Sequence, residues 1–432
     1  MTAFTSVFTA AELLAIERAG LLLVPCGLAV LLLLAIKPKP REATAAMVAF
    51  LWQIPALLLL NILARVLGWW SFAPGHNQLE GLPIDVWIGW AIWWGPVAVL
   101  GLHYLRPLTI AAIFVAIDVI SMPLIQPLVV LGDNWLVGEV AAVLLCLAPA
   151  MLAGILTRDD RRPEWRAVLH AFGWGGYLLL VIPCAVLAYE GRAYTDFFRL
   201  PGSFSDGALA VLALFLLFVG IAATAEFATV GRGTPIPFDP PKRIVSTGPY
   251  AFIANPMQII SALVVLVIAI YARSWGLAFI AVMFAVFDAI YAHWFNEAHI
   301  AHAMPQEWSR FETGVPLWTA RWRPFVEGEA EVLISRDGPA RWVWERAWRR
   351  IYRGHAVRER DLGPEDGNRL RYRRPAAGID ETGVMAAARV LEHGPLPLAI
   401  VGWLIRFVGI GAVLQLAAGL MIRWYRRGES AS

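Results

Sequence analysis

The sequence predicts an all-α polytopic membrane protein of about nine transmembrane helices with a small cytosolic α/β appendage, and three observations carry that expectation. The 432 residues are 59% hydrophobic and only 16% charged, with a mean hydropathy of +0.61, whereas a soluble domain usually carries about 25% charge. Apolar runs of roughly 20 residues, the length that crosses about 30 Å of hydrocarbon, recur along most of the chain. Arg, Glu and Asp crowd the stretch from Gly328 to Arg374, while long stretches before Thr229 hold almost no charge, as expected of a membrane part followed by a cytosolic part. An ordinary soluble enzyme is excluded. The 36 basic and 33 acidic residues, net +3, give no argument for nucleic acid as a partner.

Nine crossings follow in order: Glu12–Ile36, Thr44–Trp69, Ile84–Leu105, Leu108–Leu131, Trp135–Leu156, Ala167–Tyr189, Gly207–Val230, Met257–Tyr271 and Trp275–Phe295. The first lacks a basic leader and a small-residue cleavage site, so it reads as a retained span rather than a signal peptide. The eighth is short, about 22 Å long at 1.5 Å per residue. It forms a hairpin with the ninth, turning at Ala272-Arg273-Ser274. Basic residues fall in alternate loops: Lys37, Lys39 and Arg41, then Arg106, then Arg158, Arg161, Arg162 and Arg166, then Arg232, Lys242 and Arg243. The basic side is the cytosolic one, which puts the N-terminus outside and everything after Phe295 in the cytosol.

A further apolar run, Leu396–Ile422, contains Arg406, Gly409 and Gly411 and is followed by Arg423, Arg426 and Arg427. An arginine near the bilayer centre costs about 2.5–3.5 kcal/mol, so this run is expected to make two membrane-facing or core helices rather than a tenth span. Acidic residues inside spans are Asp85, Asp118, Glu139, Glu226 and Asp288. Such groups mark a cavity, an ion path or a paired site, or else a neutral, hydrogen-bonded acid at a helix contact. Cys26, Cys146 and Cys184 lie in apolar runs without metal or redox spacing, which leaves neither a disulfide scaffold nor a zinc site. Three lysines among 36 basic residues fit a GC-rich bacterial genome, and hence a bacterial inner membrane.

The most informative stretch is Gly231–Phe325. It opens with Gly233-Thr234-Pro235-Ile236-Pro237-Phe238-Asp239-Pro240-Pro241, which cannot be helical. Gly248-Pro249-Tyr250, Asn255-Pro256-Met257, the short hairpin and Asn296-Glu297 follow, and the stretch closes with Val315-Pro316-Leu317-Trp318 and Trp322-Arg323-Pro324. This order resembles the isoprenylcysteine carboxyl methyltransferase family and its phospholipid methyltransferase relatives. The resemblance implies S-adenosylmethionine as cofactor and a lipophilic or isoprenoid-type methyl acceptor drawn from the membrane. It places Tyr250, Asn255, Pro256, Met257, His293 and Glu297 around the cofactor, with Glu297 suited to its ammonium or ribose hydroxyls. It assigns no catalytic residue. Three positions depart from the family pattern: Ala254 stands where an Arg precedes Asn-Pro, Gln258 where a Tyr follows, and Asn296 in the Glu-Glu pair. Arg243 and Arg321 are the candidates to replace the missing arginine.

His293, His299 and His302 suggest a metal box, but at about 100° per residue His293 shares a helix face with Glu297 while the other two point away. No metal is expected. Beyond this, Glu331–Val343 reads as a strand and turn leading into a helix and resembles the opening of thioredoxin-like proteins of the DCC thiol-oxidoreductase group. Ala340 and Val343 stand where that group has cysteines, so the resemblance implies a degenerate thioredoxin-like domain kept for docking a protein partner. The resulting layout is a membrane domain of unknown role at 1–200, a methyltransferase-like domain at 201–325, and the appendage at 326–432. Two other functions compete with methyl transfer: a sterol-reductase-like membrane enzyme using NADPH, and a non-catalytic scaffold.

Overall fold

The structure, a computed structural model, describes residues 9–195, 202–233, 241–326, 328–334, 357–362, 370–407 and 409–429. Most of the Pro-rich loop, at 234–240, and the positions of the expected thiol motif, at 336–343, lie outside the described residues.

Among the described residues, eight helices are long and apolar enough to cross a membrane. They are α1 (Ala10–Ile36), α2 (Pro40–Leu67), α3 (Ile84–Gly101), α4 (Pro107–Leu124), α5 (Trp135–Arg158), α6 (Pro163–Tyr189), α7 (Phe204–Thr229) and α9 (Trp275–Trp294). Between the last two lies the shorter α8 (Pro256–Ala272), the 17-residue first arm of the expected hairpin. Each of the nine predicted runs therefore contains a helix, but the fourth, expected over Leu108–Leu131, is helical only to Leu124, and Val129–Leu131 pairs as a strand with Trp70–Phe72. Pro40, Pro107, Pro163 and Pro256 open their helices, at the one turn where a missing N–H costs nothing. Thr9 and Glu12 close a capping box on α1.

The chain divides into two compact units, one of Met1–Gly207 with Ile268–Phe279 and one of Ala208–Val267 with Ile280–Ser432. In the first unit, α3, α5 and α6 each carry a π-helical stretch, at Trp93–Val97, Val143–Leu147 and Tyr177–Val181. The first contains Pro96, and the other two end two residues before Pro149 and Pro183. A proline deletes one rung of the helical ladder and displaces the next, which a π turn accommodates. In hydrocarbon the freed carbonyls must find another donor. For α3 and α5, helix α2 supplies it. The fully buried Gln53 donates to Trp94 O at 3.1 Å and Cys146 O at 3.2 Å, and Trp52 donates to Leu145 O at 2.9 Å.

The second unit joins α7 to a four-stranded sheet. Its strands are β1 (Ala330–Ile334), β2 (Val357–Asp361), β3 (Arg371–Arg374) and β4 (Ile379–Thr382), in the order β2-β1-β3-β4. The β1–β2 pair is parallel, and β1–β3 and β3–β4 are antiparallel. Val332, Leu333 and Ile334 are all buried, so the central strand is covered on both faces and reads as a continuous apolar run. One apolar cluster spans Ala223 and Val230 of the α7 region, Tyr250, and Val332, Ile334, Tyr372, Ile379 and Val390 of the sheet region. The sheet is thus fused to the methyltransferase-like part rather than tethered to it. After α10 (Pro305–Gly314) and α11 (Val384–Leu391), the apolar C-terminal run forms two helices, α12 (Leu396–Arg406) and α13 (Ile410–Glu429), parted at Gly409, whose φ of +91° suits only glycine. Ala399 and Trp403 of α12 pack with Phe218 and Ala222 of α7 and with Phe252.

Candidate functional site

The site grows from the turn Gly248–Ala251, a single 3-10 turn ahead of α8. Gly248 has φ +57°, and a Cβ there would lie 2.9 Å from Glu226 Cγ, so both backbone and space demand glycine. The residues that follow are bound to the segment after α10: Ala254 N–H donates to Pro316 O at 3.0 Å, Arg321 N–H to Phe252 O at 2.9 Å, and Phe325 N–H to Ala251 O at 2.7 Å. Asn255 Nδ2 reaches Leu317 O at 3.5 Å. The motifs around Tyr250–Met257 and Val315–Phe325 therefore form one hydrogen-bonded unit across about 60 intervening residues, an extended backbone pairing whose polar groups satisfy one another.

Beneath the turn lies a buried cluster of three carboxylates and two guanidiniums. Arg389 donates to Glu226 at 2.6 Å, to Glu381 at 3.0 Å and to Glu392 at 3.1 Å. Arg406 donates to Glu392 at 2.6 Å and to Glu226 at 2.9 Å. Thr247 Oγ1 also donates to Glu226. Glu226 and Arg389 are 1% and 3% exposed, so the charges survive only because each is paired. The carboxylate of Glu226 consequently holds both the turn, through Thr247, and the C-terminal region, through the two arginines. The sequence shows Glu226 and Arg406 as charges stranded in apolar runs; their mutual satisfaction emerges only in the fold. Arg389 gives no such signal, because it sits in a short segment outside the long apolar runs, where a charge is ordinary.

Beside the cluster, Thr247, Gly248, Ala251 and Phe325 meet Arg374 and His393 around a small cavity. Tyr372 Oη and His393 Nε2 lie 2.8 Å apart. Burial, reinforced by the charges of Arg374 and Arg389, lowers the His393 imidazole to about 3, and burial lifts the Tyr372 phenol to about 12. Both are neutral at pH 7. The buried polar atoms with no hydrogen-bond partner among the described residues include Tyr250 Oη and His393 Nδ1.

Of the residues expected at a cofactor site, Tyr250, Asn255, Pro256 and Met257 come together. Tyr250 is 5% exposed and lies against Phe227, and Met257 packs on the same cluster with its sulfur 3.6 Å from Thr224 Oγ1. Asn255 is buried beside Leu317, and Pro256 starts α8. His293 is exposed in a separate π-helical stretch, Ala292–Glu297, which also contains Glu297, whose side chain lies outside the description. The candidate replacements for the missing arginine have other engagements: Arg321 donates to Gly314 O, and the Arg243 guanidinium lies against Gly378.

Residues 206–307 match the family model described as phospholipid methyltransferase, so this segment carries a domain of that family. No curated protein and no solved structure matches the chain.

Proposed function

We propose that this protein transfers a methyl group from S-adenosylmethionine to a lipophilic or isoprenoid-type acceptor at the cytosolic face of a bacterial inner membrane. One observation carries it: the Gly248–Met257 motif, inside the segment that matches phospholipid methyltransferases, is hydrogen-bonded to the Val315–Phe325 motif just beyond that segment as a single unit. The unpartnered Tyr250 Oη and His393 Nδ1 support the fit of a polar, zwitterionic cofactor near this unit, because each buried group needs a partner. When bound, the cofactor supplies an electrophilic methyl carbon on a sulfonium. The protein's own work is then orientation and exclusion of water. Asn255, Pro256 and Met257 fix the entry to α8, and Glu297 would receive the cofactor ammonium or ribose hydroxyls.

Equilibrium binding of S-adenosylmethionine and of NADPH to the detergent-purified protein separates the readings. S-adenosylmethionine alone should bind. NADPH binding alone would point to a sterol-reductase-like enzyme, and binding of neither to a scaffold, a reading that Ala254 favours. Glu297→Gln should weaken S-adenosylmethionine binding about tenfold, or about 1.4 kcal/mol, and leave the apo melting temperature unchanged. An unaltered affinity would remove Glu297 from the site.

In the same reading the C-terminal sheet is a degenerate thioredoxin-like domain that docks a protein partner, and the order β2-β1-β3-β4 with one parallel pair supports it. The alternation of basic loops supports an external N-terminus and a cytosolic Phe311–Pro395. A single cysteine at Asp337, in a background lacking Cys26, Cys146 and Cys184, should be protected from an impermeant reagent added to intact cells. Labelling from outside would overturn the orientation.

A further inference from the structure

The first unit holds a cavity of about 220 Å³ that methyl transfer does not use. Four helix ends converge on it, those of α1, α3 and α5 and the start of α2. One wall is apolar, built from Ile36, Val99, Leu100 and Leu102, and the rest is polar, from Glu42, His103 and Arg158. A wall and rim of opposite character suit an amphiphile, and the sign of the rim sets the sign of its head group.

The three loops at this end, 37–42, 102–106 and 158–166, contain eight basic residues and four acidic ones. The acids at the cavity are largely committed. Asp160 lies between Arg41 at 3.0 Å and Arg166 at 3.1 Å, Asp159 pairs with Arg158 at 2.9 Å, and Glu42 accepts the Lys39 N–H at 2.8 Å. Lys37, Lys39, Arg106, Arg161 and Arg162 are exposed and form no ion pair with any described residue. Each of these cations lies within four residues of a lining residue, so the loops beside this half-apolar pocket form a collar of excess positive charge. Next to it, Leu105 and Leu108 are 44% and 85% exposed, a surface on which acyl chains can lie.

We propose that this cavity binds one anionic glycerophospholipid, its phosphate at Arg158 and the collar and its chains along the apolar wall and Leu105–Leu108. An anionic head is favoured over a zwitterionic one because eight basic residues against four acidic ones at this end place a choline or ethanolamine ammonium in a field of excess positive charge. The site lies wholly outside the methyltransferase domain, so it stands whether or not the protein binds S-adenosylmethionine.

Native mass spectrometry of the full-length protein, delipidated in detergent and titrated with lipids of identical acyl chains, tests it. Phosphatidylglycerol should bind at least tenfold more tightly than phosphatidylcholine, at one copy per chain. Arg158→Gln, and independently Lys37→Gln, should each cut that preference several-fold, while Arg232→Gln in the second unit should leave it unchanged. Glycerol 3-phosphate at millimolar concentration should not displace the lipid, because it lacks the chains. Equal binding of the two lipids, a preference that survives both variants, or displacement by glycerol 3-phosphate would overturn the proposal.

Discussion

Arg389→Met should destabilise the protein by about 3–5 kcal/mol, the usual cost of leaving a buried charge without its partner. The wild-type cluster sets Glu226, Glu381 and Glu392 against Arg389 and Arg406. Removing Arg389 leaves three carboxylates facing one guanidinium, whereas Glu226→Gln leaves two facing two. The two variants should therefore differ sharply, with Glu226→Gln costing only about 1.5–3 kcal/mol for its lost charge-assisted hydrogen bonds. The double variant Glu226→Gln/Arg389→Met should be more stable than Arg389→Met alone, giving a non-additive cycle between residues in direct contact. Thermal unfolding in detergent measures all three. Equal losses in the two single variants, or strict additivity, would show that the cluster does not act as one charge-balanced unit. Local unfolding of the sheet should accompany the loss, because Arg389 ties α11 to Glu226 of α7.

The second large effect concerns Ala254. It is only part-buried, and its N–H is held by Pro316 O at 3.0 Å, two residues before Pro256 opens α8. Proline lacks an N–H and biases the residue before it away from the helical region, so the backbone here is fixed and a longer side chain would project predictably. The family pattern has an Arg at this position. Ala254→Arg should therefore add a charge-assisted contact to the carboxylate of S-adenosylmethionine and tighten binding by about 1.5–3 kcal/mol, roughly 10- to 150-fold. Arg321 donates to Gly314 O and Arg243 lies against Gly378. If either already supplies the contact to the cofactor carboxylate, the added Arg should change little and wild-type binding should be micromolar. Isothermal titration of both forms checks this. No measurable binding by either would remove the support for methyl transfer and leave the scaffold reading in front.

The nine helical segments were legible in the sequence because hydrocarbon leaves the chain little choice. A run of about 20 apolar residues must satisfy its own backbone, and a helix does so locally. The shortness of α8, the turn at Ala272–Ser274 and the break near Gly409 were legible for the same local reason. So was the order of motifs from Gly248 to Pro324, which placed the methyltransferase-like segment before any contact was known. Partners were not legible. Nothing near Glu226 in the chain indicates Arg389, 163 residues away, and the lone Arg406 counted there only as a penalty for crossing the membrane. Likewise Gln53 is an unremarked polar residue in an apolar helix until α3 and α5 present it with the carbonyls that their π turns release. Helix formation is decided by neighbours within a turn or two. The pairing of buried charges and stray carbonyls is decided by which elements the topology brings together, and a single sequence carries no local mark of that.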